Sequence, residues 1–313
     1  LRNGGDSVVL FYEGVDITDD VEIVKCVHRD VSGGRCDSLE IVLEDAGAWY
    51  SWAPKKGDRI EAAMGSYTTG IMYFNAAMPE DGKFKIIATS TPESVYRKAW
   101  RSFDGMTLGG IMSACAAECG IGWGVFGLDE NMEYQYLIRK NEGCAAFLQR
   151  LMQWEGAQLK IINGKFMGIG IEYAQDLRAK QIIELTADQP GVKHVRRDSA
   201  KYASMRIKTP YADVKAEDAD ASVNADGPTY GNLPAKAGME AGRWARGLLL
   251  TNNRMAEELT IQSEFNAGVT AMARIDIDSP TETGGEWIVD EAVHDFIEGK
   301  TKAKLLRCLR EIR

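Results

Sequence analysis

Cysteine is sparse in this chain and never closely paired. Six occur in 313 residues, at 26, 36, 115, 119, 144 and 308, with no CxxC spacing. That excludes a disulfide scaffold and signals neither a zinc ribbon nor a thioredoxin-type site. The six read as reduced, partly buried thiols of a protein made in a cytoplasm. Cys115 and Cys119 fall four apart on a predicted helix and read as core, since no third or fourth metal ligand lies near them in sequence. Histidine is scarcer: His28, His194 and His294 stand in no HExxH, HxH or HxxxH spacing. Positive charge is in deficit, with 37 Lys plus Arg against 46 Asp plus Glu and a net charge of -9. This disfavours a dedicated nucleic-acid binder, whose affinity rests on basic groups meeting phosphates. A long apolar run is also missing. Between Asp104 and Asp129 the only charge is Glu118, but seven glycines interrupt the stretch. It reads as a buried helix followed by a glycine-rich turn, and no membrane insertion is expected. No secretory leader is visible at Leu1 to Asp6.

Catalytic motifs are equally thin. There is no GxSxG elbow, and Ser102 and Ser113 have no evident base in sequence. No GxxxxGK[ST] loop occurs. Gly120-Ile121-Gly122-Trp123-Gly124 follows a helix rather than a strand, the wrong context for a dinucleotide. The carboxylate pairs Asp19-Asp20, Asp129-Glu130 and Glu257-Glu258 read as solvated turns. Lys193 to Lys208 is locally basic, but only Tyr202 interleaves it, so a subunit contact or solvated face is the reading there. The expectation is therefore no enzyme: no catalytic, cofactor-binding or metal residue is nominated, and no cofactor.

What is present is the composition of a soluble globular protein, 45% hydrophobic and 27% charged, long enough for two or three domains. Residues 1–95 read as strands: Val21 to Val27, Leu39 to Leu43, Arg59 to Met64, Ile71 to Ala77 and Lys83 to Thr89, with turns at Ser32 to Arg35 and Pro79 to Gly82. Residues 96–180 read as a compact α+β unit. Thr107 caps one helix that ends at Gly120, Asn141 caps a second that ends at Gly156, and Asn163-Gly164 turns a hairpin. Residues 181–313 return to strands at Gln181 to Thr186, Ser204 to Thr209, Glu258 to Gln262, Val269 to Ile277, Glu286 to His294 and Thr301 to Leu309. Within this third, 211–234 is expected to be a mobile acidic loop and 235–253 a helix. The predicted fold class is mainly β with an α+β insertion: two small antiparallel β-barrels flanking a compact α+β domain. A faint echo pairs Arg59 to Ala63 with Val269 to Met272, Ile71 to Ala77 with Trp287 to Val293, and Lys83 to Ala88 with Lys302 to Leu309, as a duplication would leave.

Several segments carry a resemblance. Pro54, Gly57-Asp58-Arg59-Ile60, Gly70-Ile71-Met72, Pro79-Glu80-Asp81-Gly82 and Ala88-Thr89-Ser90-Thr91-Pro92 come first. Thr107-Leu108-Gly109-Gly110-Ile111 follows. Phe147-Leu148-Gln149-Arg150-Leu151, with Glu155-Gly156 and Lys160 to Phe166, is the most specific. Ala241 to Asn253, Ala267-Gly268, Trp287-Ile288-Val289 and Val293-His294 close the chain. In this order they resemble the phage late control D family, the baseplate hub proteins of contractile tails, similar to the head region of type VI secretion spike proteins. Gly143 departs from the family pattern, which often has Ser and Asp there. No lysozyme or spike segment follows Arg313, which predicts a spike on a separate chain.

The resemblance implies a structural, non-enzymatic protein of the virion tail baseplate, assembled in the bacterial host cytoplasm. It implies a homotrimeric ring that adapts a sixfold tail tube to a threefold spike. Partners would be two further copies, a tail-spike protein, the tail tube and other baseplate proteins. DNA would pass through the lumen without specific binding, and the net negative charge is compatible with a lumen that repels phosphates. Two readings of other classes stay open at this point. One is a tail-associated cell-wall hydrolase. The other is a peptidoglycan- or carbohydrate-binding module, a part the middle unit would play.

Overall fold

A computed structural model describes residues 7–44, 53–186, 189–219, 225–310 and 312. The fold is mainly β. The opening third contributes β1 (Val9–Tyr12), β2 (Val15–Asp16), β3 (Ile23–Val31), β4 (Ser38–Leu43), β5 (Arg59–Met64), β6 (Tyr67–Thr68), β7 (Met72–Glu80) and β8 (Lys83–Thr89). In β4 and β8 every second residue is buried, the period-two pattern of a sheet with one face on a core. That core is made by Leu10, Leu39, Ile41, Leu43, Ile60, Met72, Phe84 and Ile86.

The middle third begins with an antiparallel ribbon, β9 (Ala99–Thr107) on β11 (Glu133–Glu142). Between them lie helix α1 (Leu108–Cys119) and β10 (Gly122–Phe126). Helix α2 (Cys144–Trp154), β12 (Ala157–Ile162), β13 (Lys165–Gly170) and the short α3 (Ile171–Asp176) complete it. Thr107 caps α1 by accepting the Gly110 N–H at 3.1 Å, and Gly120 ends it at φ +70°. The expected cap of α2 is corrected. The N-cap is Gly143, whereas Asn141 sits at φ +51° beside an irregularity of β11. Gly143 has no room for a side chain, since a Cβ there would lie 2.7 Å from the Val95 carbonyl oxygen.

The closing third holds β14 (Gln181–Glu184), β15 (Lys193–Arg196), β16 (Ser204–Thr209), β17 (Ala212–Glu217) and β18 (Asp226–Tyr230). Helix α4 (Gly238–Asn253) follows, then β19 (Glu257–Glu264), β20 (Arg274–Asp278), β21 (Gly285–Asp295) and β22 (Lys300–Arg307). Two expectations are corrected here. The stretch 211–234 is not an open loop: β17 and β18 flank β16 in a three-stranded sheet, with residues 220–224 outside the described set. Asp213, Lys215 and Glu217 occupy its exposed face, alternating with Val214 and the buried Ala216. Val269 to Met272, expected as a strand, precedes the strand instead. The Ala271 N–H donates to Asp30 rather than to a ladder.

Helix α4 and the β16–β18 sheet were expected to belong with the closing strands, yet they share the core of the middle body. Trp244, Leu249, Met205 and Ile207 pack there with Phe147, Leu148 and Leu151. Gly247 explains how close the approach is. A Cβ at this position would lie 2.1 Å from the Trp154 carbonyl oxygen and 2.3 Å from the Gly156 nitrogen.

Apart from Ser204 to Thr209, the strands expected in two separate barrels belong to one hydrogen-bonded sheet of 14 strands. Within it the same arrangement occurs twice. The chain order β3, β4, β5, β7, β8 gives the spatial order β3-β4-β8-β7-β5, and β15, β19, β20, β21, β22 gives β15-β19-β22-β21-β20. Every neighbouring pair in both sets is antiparallel. The two units join where the second half of β21 pairs with β3.

Candidate functional site

A group of deeply buried polar side chains converges where the two sheet units meet the middle body. Lys160 lies on β12, a strand whose first five residues are all buried, and its side chain is 5% exposed. Its Nζ donates to Asp37 Oδ1 and Oδ2 at 2.9 and 2.8 Å, to the Val31 carbonyl at 3.0 Å, and to Asp30. The opening unit holds both carboxylates in place. Asp37 Oδ1 accepts the Val31 N–H at 2.9 Å, and the Asp37 N–H donates to Ser90 Oγ at 2.9 Å. Asp30 Oδ2 accepts the Ala271 N–H of the closing unit at 2.8 Å. One ammonium and two carboxylates thus bind all three bodies.

Burial sets the electrostatics. It raises the proton affinity of Asp30, but the Lys160 charge overcomes this and holds the carboxyl below its usual range. Burial pushes Asp37 up to about 6, because the single ammonium beside it is shared with Asp30. Lys160 itself is raised: burial opposes its charge, and the two carboxylates outweigh that.

Next to this cluster is an aromatic one. His28 on β3 and His294 on β21 are directly opposed partners. Tyr67 donates to or accepts from His28 Nδ1 at 2.7 Å and packs at a tilt against His294, 4.3 Å between ring centroids. Phe265 and Phe296 pack edge-on against Tyr67. Desolvation lowers both histidines, His28 to about 3 and His294 to about 4. On the outer surface of the joint, Arg29 makes two 2.8 Å hydrogen bonds to Glu291, and Arg35 bridges Asp290 and Glu291 at 3.2 Å.

The segment that carried the most specific resemblance supplies contacts in every direction. Gln149 Oε1 accepts the Leu159 N–H at 2.9 Å, and the Gly34 N–H of the opening unit reaches the Leu159 carbonyl at 2.8 Å. Gly34, at φ +71°, must stay bare, since its Cβ would stand 2.6 Å from that of Gln149. Glu155 accepts Tyr134 Oη and Arg243 Nε at 3.1 Å each, and also Trp244 Nε1, so it anchors α4.

The other residues weighed in the sequence are dispersed. His194 pairs with Glu257 at 3.0 Å on β15 and β19. Cys115 and Cys119 are core residues, and Cys144 joins them beside the buried Arg139, whose Nη1 reaches its sulfur at 2.6 Å. Ser102 and Ser113 lie on β9 and α1. Among the described residues no three His, Cys, Asp or Glu side chains group as a metal site would require, and no helix is long and apolar enough to cross a membrane. What this arrangement does is mechanical. Lys160, Asp30 and Asp37 each meet an opposite charge and a backbone partner, so the relative positions of three bodies are fixed. Sequence reasoning missed Asp30, Asp37, Lys160 and Tyr67 as a group; the available signal was a lysine flanked by Leu159, Ile161 and Ile162 in one strand.

No protein-family model and no curated protein matches the chain. Solved structures do match its fold. The 43 kDa tail protein of prophage MuSo2 from Shewanella oneidensis is 13% identical, with a TM-score of 0.70 over 96% of this chain and 98% of that one. The tail protein from Neisseria meningitidis MC58 is 11% identical, with a TM-score of 0.76 over 97% of each chain. The E. coli c3393 protein, a component of the type VI secretion system, is 10% identical, with a TM-score of 0.57 over 96% of this chain and 77% of that one. The chain therefore has the fold of solved phage tail proteins, over nearly its full length and theirs.

Proposed function

We propose that this chain is a structural baseplate hub protein of a phage or phage-like contractile tail. It forms a homotrimeric ring that adapts a sixfold tail tube to a threefold spike. The observation that carries the reading is the repeated five-strand unit. Two copies of one unit per chain, fused edge to edge, give six equivalent units when three chains close about an axis. The fold likeness to tail proteins over nearly whole chain lengths supports the same conclusion. In this reading the middle body rests on the ring and is held in place by Lys160. The partners are the spike, the tail tube and neighbouring baseplate proteins, and the ring's place is the virion tail. DNA passes through without specific contact, and no catalytic role is assigned.

Light scattering on a sizing column, over a range of concentrations, tests the ring. A mass near three times 34.5 kDa is expected. A monomer at every concentration overturns the homotrimer.

A further inference from the structure

The two halves of the sheet are alike in topology but not in cover. In the second unit, β21 passes an irregularity between Val289 and Glu291 and then pairs with β3, and Ala292 and His294 are fully buried. In the first unit, β7 passes an irregularity between Phe74 and Ala76, but beyond it Ala77, Met78, Pro79 and Glu80 are exposed. Beyond Asn75 no strand among the described residues covers that edge of β7. At the far end of the sheet β15, the counterpart of β3, ends the ladder with its outer edge open among the described residues.

The ladders give the correspondence residue by residue. Ala88 and Leu305 each pair across the hairpin with the last residue before the irregularity, Phe74 and Val289. Leu39 pairs with Ala88 as Leu259 pairs with Leu305. His28 pairs with Leu39 as His194 pairs with Leu259. His194 is thus the counterpart of His28, and Pro79 of His294.

Resting on the trimeric-ring reading, we propose that the exposed second half of β7 pairs with β15 of the next copy of this chain, repeating between subunits the β21–β3 joint made within one. The inherited register is antiparallel and sets Ala77 against Arg196, Met78 against Val195, Pro79 against His194 and Glu80 against Lys193. Its chemistry is complementary. Met78, a large apolar side chain 43% exposed, meets Val195. Glu80 and Lys193, both exposed and without an ion-pair partner among the described residues, face each other with opposite charge. In the joint within the chain, the Phe296 N–H donates to the Cys26 carbonyl. The N–H of every second residue, His294 included, therefore points toward β3. Pro79, in the His294 position, has no N–H to offer on the open edge. This blunts indiscriminate strand pairing and leaves the side chains to select the partner. Each chain presents one β7 edge and one β15 edge, so the contact is head-to-tail, the type that makes a ring when its rotation closes, as the trimeric reading requires.

Met78 and Val195 occupy a non-hydrogen-bonded position, where opposed Cα atoms are about 4.5 Å apart and within disulfide reach. The full-length Met78→Cys, Val195→Cys double variant is oxidised and run without reductant, beside each single variant carrying the same six native thiols. A covalent ladder ending at trimer, in the double variant alone, is the expected result. A species of trimeric mass that gives no such ladder overturns this edge while the ring stands; a monomeric mass throughout overturns the ring. Glu80→Lys is expected to weaken assembly about tenfold, and addition of Lys193→Glu to recover most of that loss. Equal assembly by all these variants also overturns the pairing.

Discussion

His28 and His294 face each other across the strands that join the two sheet units, and Tyr67 touches both rings. Each histidine keeps a buried Nε2 without a hydrogen-bond partner among the described residues. Protonation would place positive charge in a desolvated site, a cost that the nearby Asp30 carboxylate offsets only in part and that the Lys160 ammonium adds to at His28. The joint is therefore built for neutral imidazoles.

This gives a pH dependence with a defined sign. The folded values, about 3 for His28 and about 4 for His294, lie below the unfolded value near 6.5. The unfolded state binds more protons across that window, so stability is lost as pH falls from 6.5 toward 4. By pH 5 each histidine costs about 2 kcal/mol. Asp37 acts oppositely: its folded value of about 6 exceeds its unfolded one, so its contribution grows as pH falls through 6. Urea unfolding at pH 7 and pH 5 isolates the histidine contribution when His294→Asn is compared with the parent. The variant is expected to lose about 2 kcal/mol less on acidification. An identical pH dependence in both proteins would sink the account.

Lys160 supplies a second test, because among the described residues it alone forms ion pairs with these two buried carboxylates. Lys160→Met leaves Asp30 and Asp37 facing each other without a cation, and is expected to cost about 3–5 kcal/mol. Asp37→Asn keeps an acceptor for the Val31 N–H and leaves Lys160 paired with Asp30, so about 2 kcal/mol is expected. Chemical denaturation of the two variants checks the order. A milder effect from Lys160→Met than from Asp37→Asn contradicts the shared-ammonium arrangement.

The strands with clean alternation were legible because each buries one face: Leu39, Ile41 and Leu43 appear at every second position, as do Phe84, Ile86 and Ala88. Ribbon β9 was not legible, because it buries little; Phe103 is its single fully buried residue, and the exposed Trp100, Arg101 and Ser102 leave no period. The 211–234 stretch misled because its acids dominate the composition, although Val214 and Ala216 alternate with them. The site was least legible of all. Asp30, Asp37, Tyr67 and Lys160 come from separate elements, and no local spacing records that a sheet joint will bring them together. The motif around Lys160 marked the right segment without revealing the reason, which is a contact 123 residues away in the chain.

The middle body holds its own buried charge, and it yields the last prediction. Arg139 is 1% exposed and donates to Glu118 and to the sulfur of Cys144, the first residue of α2. Hydrogen bonds from Cys115 and Cys119 pull the Cys144 thiol far below its ordinary range, and the Arg139 charge adds to this. The thiols that donate are themselves pushed up. The direction of these shifts predicts a Cys144 thiolate, a second anion beside Glu118 for the buried guanidinium. The folded protein at pH 6 should show thiolate absorbance near 240 nm that disappears on unfolding, since a free thiol titrates near 8.5. Cys144→Ala removes the anion and leaves the arginine half-paired, at an expected cost of about 3 kcal/mol. Adding Arg139→Met to that variant removes the half-paired guanidinium, while the part-exposed Glu118 keeps Arg101 at 3.7 Å, so part of the loss should be recovered. If the double variant is as unstable as Cys144→Ala alone, the cysteine matters for packing and the ion-pair account of this cluster is wrong.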